Sequence, residues 1–232
     1  MSVVAIITAR GGSKRIPKKN IKNFCGKPII AYSIEVAINS GIFDRVIVST
    51  DDIDIKVIAE SYGAEVPFFR STENSNDTAS LVDVTREVLT KVKDIEYFCC
   101  ILPTSPLIKE EFLLNTFHVF IKEKLGLDFC VPVVEYDYPI QRALIIENDL
   151  LEFRDDAYIY SRSQDLEKTY HDVGQFYWGN RDSIFKYDSM LKGKVYPFII
   201  PATYVQDIDN IEDWEVAEFK YKFLKSKDRY EL

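Results

Sequence analysis

Histidine is scarce in this chain of 232 residues, with only His118 and His171 present. That leaves no cluster with zinc-ligand spacing and few base partners for a nucleophilic cysteine. Cysteine is sparse too, at Cys25, Cys99, Cys100 and Cys130. There is no Cys-x-x-Cys spacing and no disulfide framework. Cys99 and Cys100 sit in an apolar run, so the thiols read as buried and reduced, which suits a cytoplasmic location. No apolar run approaches the roughly 18 residues of a membrane span. No basic segment precedes the first apolar run, which therefore reads as a strand and not a signal peptide. Glycine is limited to nine residues. The Gly11-Gly12 loop has neither the G-x-G-x-x-G spacing of a dinucleotide fold nor the Gly-Lys pair that closes a Walker A loop. Basic residues are outnumbered, 29 against 37 acidic, for a net charge of -8, which argues against a nucleic-acid surface. Repeats, low-complexity tracts and Pro/Ser linkers are absent.

What remains is a chain that is 47% hydrophobic and 28% charged. It can bury a substantial core as one α/β domain over 1–232, with room for a modest insertion. Strand signals recur at 3–9, 45–49, 65–69, 97–102 and 129–134, several as continuous apolar runs expected of buried parallel strands. Helix patterns alternate with them at 29–39, 54–62, 78–93 and 110–123. Ser40-Gly41 ends the first, Gly63 ends the second, and Asp77 is a capping type of residue ahead of the third. This alternation predicts a doubly wound, mostly parallel α/β sheet. After Val134 the pattern changes. Residues 135–194 are polar and tyrosine-rich, with short alternating pieces, and read as a small mixed α/β insertion that closes over the site and pairs with a second subunit. Phe176, Tyr177 and Trp178 read as the core of that insertion or a subunit interface. Residues 196–200 return as a strand, 210–225 form a closing helix, and 225–229 form a solvated tail.

The densest chemistry lies in Arg10-Gly11-Gly12-Ser13-Lys14-Arg15-Ile16-Pro17-Lys18-Lys19-Asn20. This basic loop follows the apolar run Val3-Val4-Ala5-Ile6-Ile7, where open α/β sheets bind ligands. Gly11 and Gly12 let the backbone approach a ligand and turn its N–H groups towards it. A dense positive loop in an acidic protein points to a small polyanion held at one place. A solvated turn with ordinary lysines is the alternative. Towards the other end, Asp207 and Asp209 flank Ile208. In an extended segment both carboxylates face the same side, where a cation between them would relieve their repulsion. A surface turn in which Asp209 or Asn210 caps the next helix explains the pair as well. Asp51-Asp52 is open in the same way, between a metal or sugar contact and a helix cap.

The stretch Ala9-Arg10-Gly11-Gly12-Ser13-Lys14 through Lys19-Asn20 closely resembles the opening signature of the CMP-sugar synthetases. These cytidylyltransferases activate acidic keto-sugars of eight and nine carbons. Ser49-Thr50-Asp51-Asp52, Pro103-Thr104-Ser105-Pro106-Leu107 and Gln206-Asp207-Ile208-Asp209 follow in the family's order. Tyr170-His171-Asp172-Val173-Gly174-Gln175-Phe176-Tyr177-Trp178 looks like the pseudaminic acid branch, where the sialic acid branch has an Asn-Gly-Ala type sequence.

The resemblance implies a Rossmann-like nucleotidyltransferase, usually a homodimer joined through the insertion. The anomeric hydroxyl of a nine-carbon acidic sugar attacks the α-phosphorus of CTP, and pyrophosphate leaves. The runner-up is a synthetase for N-acetylneuraminic or legionaminic acid. A dinucleotide oxidoreductase and a non-catalytic nucleotide-binding regulator are the readings outside this class. Arg10, Gly11, Gly12, Ser13, Lys14, Lys19 and Asn20 hold the triphosphate, with Arg10 and Lys19 the foremost contacts. Arg15 and Lys18 rank lower. Arg70 and Ser80 face the base. Asp207 and Asp209 align with the metal-ligating aspartates, and the ion is Mg2+. Asp209 through its metal is the first candidate base, His171 the second. Gln141, Arg142, Arg162, Tyr170, His171 and Gln175 are the candidate sugar contacts, an arginine suiting the sugar carboxylate. Leu102 departs from the glutamine that often precedes Pro-Thr-Ser-Pro in the sialic acid branch. Cytosine reading then falls to backbone groups or another side chain.

Overall fold

The computed structural model describes residues 2–123 and 126–228. Strand β1 (Val3–Thr8) is buried over its first five residues, as a strand covered on both faces must be. The basic loop follows. A short hairpin, β2 (Asn23–Phe24) and β3 (Lys27–Pro28), then leads into helix α1 (Ile29–Ser40). Gly41 ends α1 in the left-handed conformation, φ 66°, which glycine adopts without a Cβ penalty. Next come β4 (Arg45–Ser49), α2 (Ile53–Ser61), α3 (Leu81–Lys91), β5 (Tyr97–Ile101) and α4 (Glu110–Phe117). α4 runs on as π-helical turns over His118–Glu123.

The second half contains β6 (Phe129–Glu135), an exposed ribbon of β7 (Leu144–Glu147) and β8 (Leu150–Phe153), then β9 (Tyr170–Asp172) and β10 (Phe176–Asn180). It closes with α5 (Arg181–Lys186), β11 (Val195–Ile199) and α6 (Ile211–Asp228). No helix of the described residues is long and apolar enough to cross a membrane.

The main sheet runs β11-β6-β10-β5-β1-β4, with β9 on β6. β4, β1 and β5 are mutually parallel, and so are β6 and β11. β10 is antiparallel to both β5 and β6. The fold is therefore the expected doubly wound, mostly parallel sheet. One face buries Ile30 and Ile34 of α1, Ile55 of α2 and Leu113 of α4. The other buries Val88 and Leu89 of α3 and Ile184 of α5. A third cluster joins α6 to the basic loop: Trp214 and Ala217 pack with Ile16, Phe24 and Ile29. Ile16 is only 1% exposed, so this apolar anchor seats an otherwise charged loop on the protein.

Four expectations change. Residues 65–69 make isolated bridges to Ile47 and Thr50 and no strand; Pro67 at their centre has no N–H to donate to a ladder. The third helix starts at Leu81, not near Thr78. Ser80 and Asp83 form a capping box, satisfying two backbone donors at once, so Asp77 caps nothing there. The expected tail is helical through Asp228, while Arg229 lies outside the described residues. Finally, Phe176, Tyr177 and Trp178 are buried in β10, in the middle of the main sheet. They form neither a separate insertion core nor a subunit interface, because β10 is covered on both faces. The excursion away from the sheet is confined to the residues between β6 and β9.

Candidate active site

The ends of β1, β4 and β5 lie in register, with Ile7 opposite both Val48 and Ile101. The basic loop therefore leaves β1 between the turns that follow β4 and β5. Two aspartates after β4 hold its start. Asp52 caps α2, accepting from the amides of Asp54 (2.8 Å) and Ile55 (3.1 Å). Asp51 accepts from the Gly11 amide at 2.8 Å. The open choice at this dipeptide thus resolves to the helix cap and a loop anchor. A Cβ on Gly11 would meet the Asp52 carboxylate at 2.6 Å, so this glycine is required by close approach. Its N–H is taken by Asp51 and does not face the cleft as expected. Gly12 is exposed.

The loop and its neighbours line a cleft of about 400 Å³. Arg10, Ser13, Lys14, Arg15, Lys19, Asn20, Leu102, Thr104 and Asp209 all reach it. Arg10 donates to Asp77 Oδ1 (2.8 Å) and to the carbonyl of Asn76 (3.0 Å). Lys14 pairs with the other oxygen of Asp77. Asp77 also lines the cleft, and these two cations hold its carboxyl below the usual range, Lys14 contributing most. Asn20 is buried and its amide donates to the Arg10 carbonyl at 2.9 Å, which fixes the loop's return. Lys19 donates to the carbonyl of Ile208 at 2.7 Å. Burial lowers its pKa, against the opposing pull of Asp209 and Asp207. Arg15 reaches Asp209 Oδ1 at 2.6 Å, and Lys18 reaches Asp54 at 2.9 Å.

A side recess adjoins this cleft. Arg10, Arg70, Asn74, Asp77, Ser80 and Leu81 line it. Arg70 is buried, with its guanidinium on the Ser49 hydroxyl and carbonyl. The structure therefore brings both residues expected at the base into one recess beside the loop.

Asp207-Ile208-Asp209 stands where this cleft meets a second one. Asp209 lines the first and Asp207 the second, a space of about 590 Å³. The segment is irregular, so the two carboxylates do not simply share one side of a strand. They still interact: burial raises the pKa of Asp207, and the charge of Asp209 raises it further. Asn210 provides the helix cap, accepting from the Asp213 amide at 3.0 Å, while Asp213 accepts from the amides of Asp209 and Asn210. Of the two residues expected as the cap, Asn210 takes the role, and the Asp209 carboxylate is left out of the capping. No group of three or more His, Cys, Asp or Glu among the described residues is arranged to hold a metal. Two carboxylates beside a cation-lined cleft nevertheless form a donor set that suits Mg2+, which commonly takes one or two carboxylates and completes its shell with phosphate and water.

The second cleft collects His171, Asp172, Gly174, Tyr136, Tyr138, Gln206 and Lys220. His171 lies against Tyr136 in a tilted contact, centroids 4.8 Å apart, and its Nδ1 lies 2.9 Å from the Asp172 carbonyl. Gln141, Arg142, Arg162, Tyr170 and Gln175 do not line it. Gln141 bonds the Glu167 carbonyl and Arg142 the Ser163 hydroxyl, both within the excursion. Gln175 is buried, donating to the Tyr204 carbonyl at 2.6 Å. Sequence reasoning missed Asp77, hidden as a helix cap, and Lys220, hidden in the polar pattern of α6. Lys220 is a cation in a cleft whose carboxylates are Glu135, Asp137, Asp172 and Asp207.

A cytidylyltransferase family model matches residues 4–198. The chain belongs to the cytidylyltransferase family. This cytidylyltransferase is 43% identical over 227 residues to a pseudaminic acid cytidylyltransferase of Campylobacter jejuni, covering 96% of this chain and 97% of that protein. It is 29% identical to a CMP-N,N'-diacetyllegionaminic acid synthase of Legionella pneumophila, covering 94% and 95%. Its fold is that of a CMP:2-keto-3-deoxy-manno-octonic acid synthetase solved with CTP, with a TM-score of 0.72 at 19% identity over 98% of this chain and all of that one. The cytidylyltransferase is thus a nucleotidyltransferase with a mostly parallel Rossmann-like sheet.

Proposed function

We propose that this enzyme transfers the CMP unit of CTP to pseudaminic acid and releases pyrophosphate. The observation that carries the reading is the meeting of two clefts at Asp207-Ile208-Asp209, one lined by the loop cations, the other polar. Arg10, Lys14 and Lys19, with Arg15 beside them, offer charge to the triphosphate and to the departing pyrophosphate. Arg70 and Ser80 offer polar groups to the base. Lys19, bonded to the Ile208 carbonyl, ties the loop to the aspartate segment. A Mg2+ held by Asp207 and Asp209 would supply Lewis-acid polarisation of the α-phosphate. Asp209 through that metal is the first base for the anomeric hydroxyl in this reading, and His171, in the second cleft, is the second. Lys220 offers a cation to the sugar carboxylate. Buried thiols at Cys99, Cys100 and Cys130 suit a cytoplasmic enzyme.

The sugar assignment rests on the likeness to the Campylobacter jejuni protein and on Tyr170 through Trp178. Both nonulosonic acids bring a carboxylate and an anomeric hydroxyl. Discrimination must come from groups facing the ring substituents, and a buried polar group left unpaired by the wrong isomer gives large selectivity. Pyrophosphate release measured with each of the four nucleotides and with purified sugars is expected to require CTP and to favour pseudaminic acid over N-acetylneuraminic acid. Equal or better use of N-acetylneuraminic acid would overturn the branch and leave the nucleotide reading standing.

We also propose that the enzyme is a homodimer joined through the excursion. The β7–β8 ribbon exposes Ile146 (75%), Leu150 (65%) and Leu151 (65%). A lone two-stranded ribbon is marginal in water, and so large an apolar display suits an interface. Sedimentation should show a dimer for the parent enzyme and a folded monomer for the Ile146→Asp, Leu151→Asp double variant. A parent enzyme that sediments as a monomer would remove the proposal.

A further inference from the structure

Four of the loop cations are partnered by carboxylates, while Lys19 donates to the Ile208 carbonyl. Arg10 and Lys14 share Asp77, Arg15 has Asp209, and Lys18 has Asp54. Asp77 differs from the rest. It lies 67 positions from Arg10 in sequence, on the segment between the β4 side of the sheet and α3. It lines both the main cleft and the base-side recess. One carboxylate spends one oxygen on each of two cations, an arrangement that imitates how a phosphate group would engage them. No helix cap explains it: Asn76 accepts from the amides of Thr78 and Ala79, and Ser80 caps α3. The Asp77 side chain is half-exposed, so it can move aside.

We propose that Asp77 is a positioning residue that stands in for phosphate: it holds Arg10 and Lys14 before CTP arrives and reclaims them as pyrophosphate leaves. This rests on the reading of the cleft as the nucleotide site. The physical logic is competition. Without Asp77 the two cations would splay under mutual repulsion and attract any polyanion. With it they stay convergent on one place, and every phosphate must displace a weak internal partner. Exposed ion pairs contribute only a little each, so CTP with its larger charge wins easily. Pyrophosphate after the reaction lacks the nucleoside contacts, and the competing carboxylate has its greatest effect there.

The test is pyrophosphate binding to the nucleotide-free enzyme by calorimetry, together with product inhibition against CTP, for the parent and for Asp77→Asn and Asp77→Glu. Asn removes the charge while keeping the shape. The expected result is pyrophosphate binding tightened by about three- to tenfold in Asp77→Asn, with a lower inhibition constant and a lower kcat. Asp77→Glu should return all three towards the parent values. Pyrophosphate binding that is unchanged or weaker in Asp77→Asn would overturn the proposal, since a purely structural residue would loosen the site. A parent enzyme that binds neither CTP nor pyrophosphate would instead overturn the nucleotide reading itself. Thermal melting of each variant separates a binding change from a folding defect.

Discussion

Asp209→Asn is expected to lower kcat/KM by on the order of 10²–10³ while the melting temperature stays close to that of the parent. The local structure explains why the two effects separate. Asn210 and Asp213 cap α6 between them, and the Asp209 backbone amide bonds Asp213 through its N–H, which the substitution keeps. The side chain's ion pair is with Arg15, whose own side chain is 66% exposed. Breaking an exposed pair costs at most about 1 kcal/mol. Activity depends on something else, the charge available to a cation at the junction of the two clefts. Asparagine keeps the shape and loses that charge. The parent should likewise lose activity to a chelator and regain it with Mg2+. Full activity in Asp209→Asn, or chelator-resistant turnover, would sink the metal assignment. Loss of melting temperature in parallel with activity would turn Asp209 into a structural residue.

Lys19→Ala is expected to weaken CTP use by about tenfold to a hundredfold in kcat/KM, the worth of one charge-assisted hydrogen bond. The KM for the sugar should change little. The environment of Lys19 adds a second, sharper expectation. Burial pushes its pKa below the usual lysine range. As pH rises through that lowered value, the free enzyme loses the charge on which CTP binds. The profile of kcat/KM for CTP should therefore fall on its alkaline side earlier than an ordinary lysine would allow. Lys19→Arg, which stays protonated, should remove that limb even where its absolute activity is lower. An alkaline limb unchanged in Lys19→Arg would exclude Lys19 as its source.

Much of the sheet was legible because strands covered on both faces are apolar over most of their length. Val3–Thr8, Arg45–Ser49 and Tyr97–Ile101 read as strands for that reason. Residues 65–69 have the same composition and fail on one residue, Pro67, whose missing donor outweighs the apolar pattern. β10 was legible as apolar and aromatic but not as central. No rule of composition says that a strand arriving after a polar excursion will thread antiparallel between two earlier ones. The cation-lined cleft was legible because charge on a short loop after β1 is a local signal. Asp77 was not, because its partners lie far away in sequence and its own neighbourhood, Asn76 to Ser80, is full of capping residues. The second cleft was the least legible. Gln141, Arg142 and Arg162 are polar residues on a polar excursion, and their chemistry alone cannot say whether they face a ligand or one another.

The place of β10 also governs how the chain can be synthesised. Ribosomes deliver β4, β1 and β5 early, and these three can pair as soon as residue 101 emerges. β6 follows but has no partner in that trio, because the strand that joins it to β5 is Phe176–Asn180. For the duration of some forty further residues the nascent protein carries a three-stranded half-sheet and a β6 not yet joined to it, with open apolar edges of the kind that seed aggregation. Non-local closure of this sort is slow as well. A chain stopped before residue 176 should therefore be trapped by chaperones or lost to inclusion bodies. A chain extended past residue 199 has every strand of the main sheet and can close.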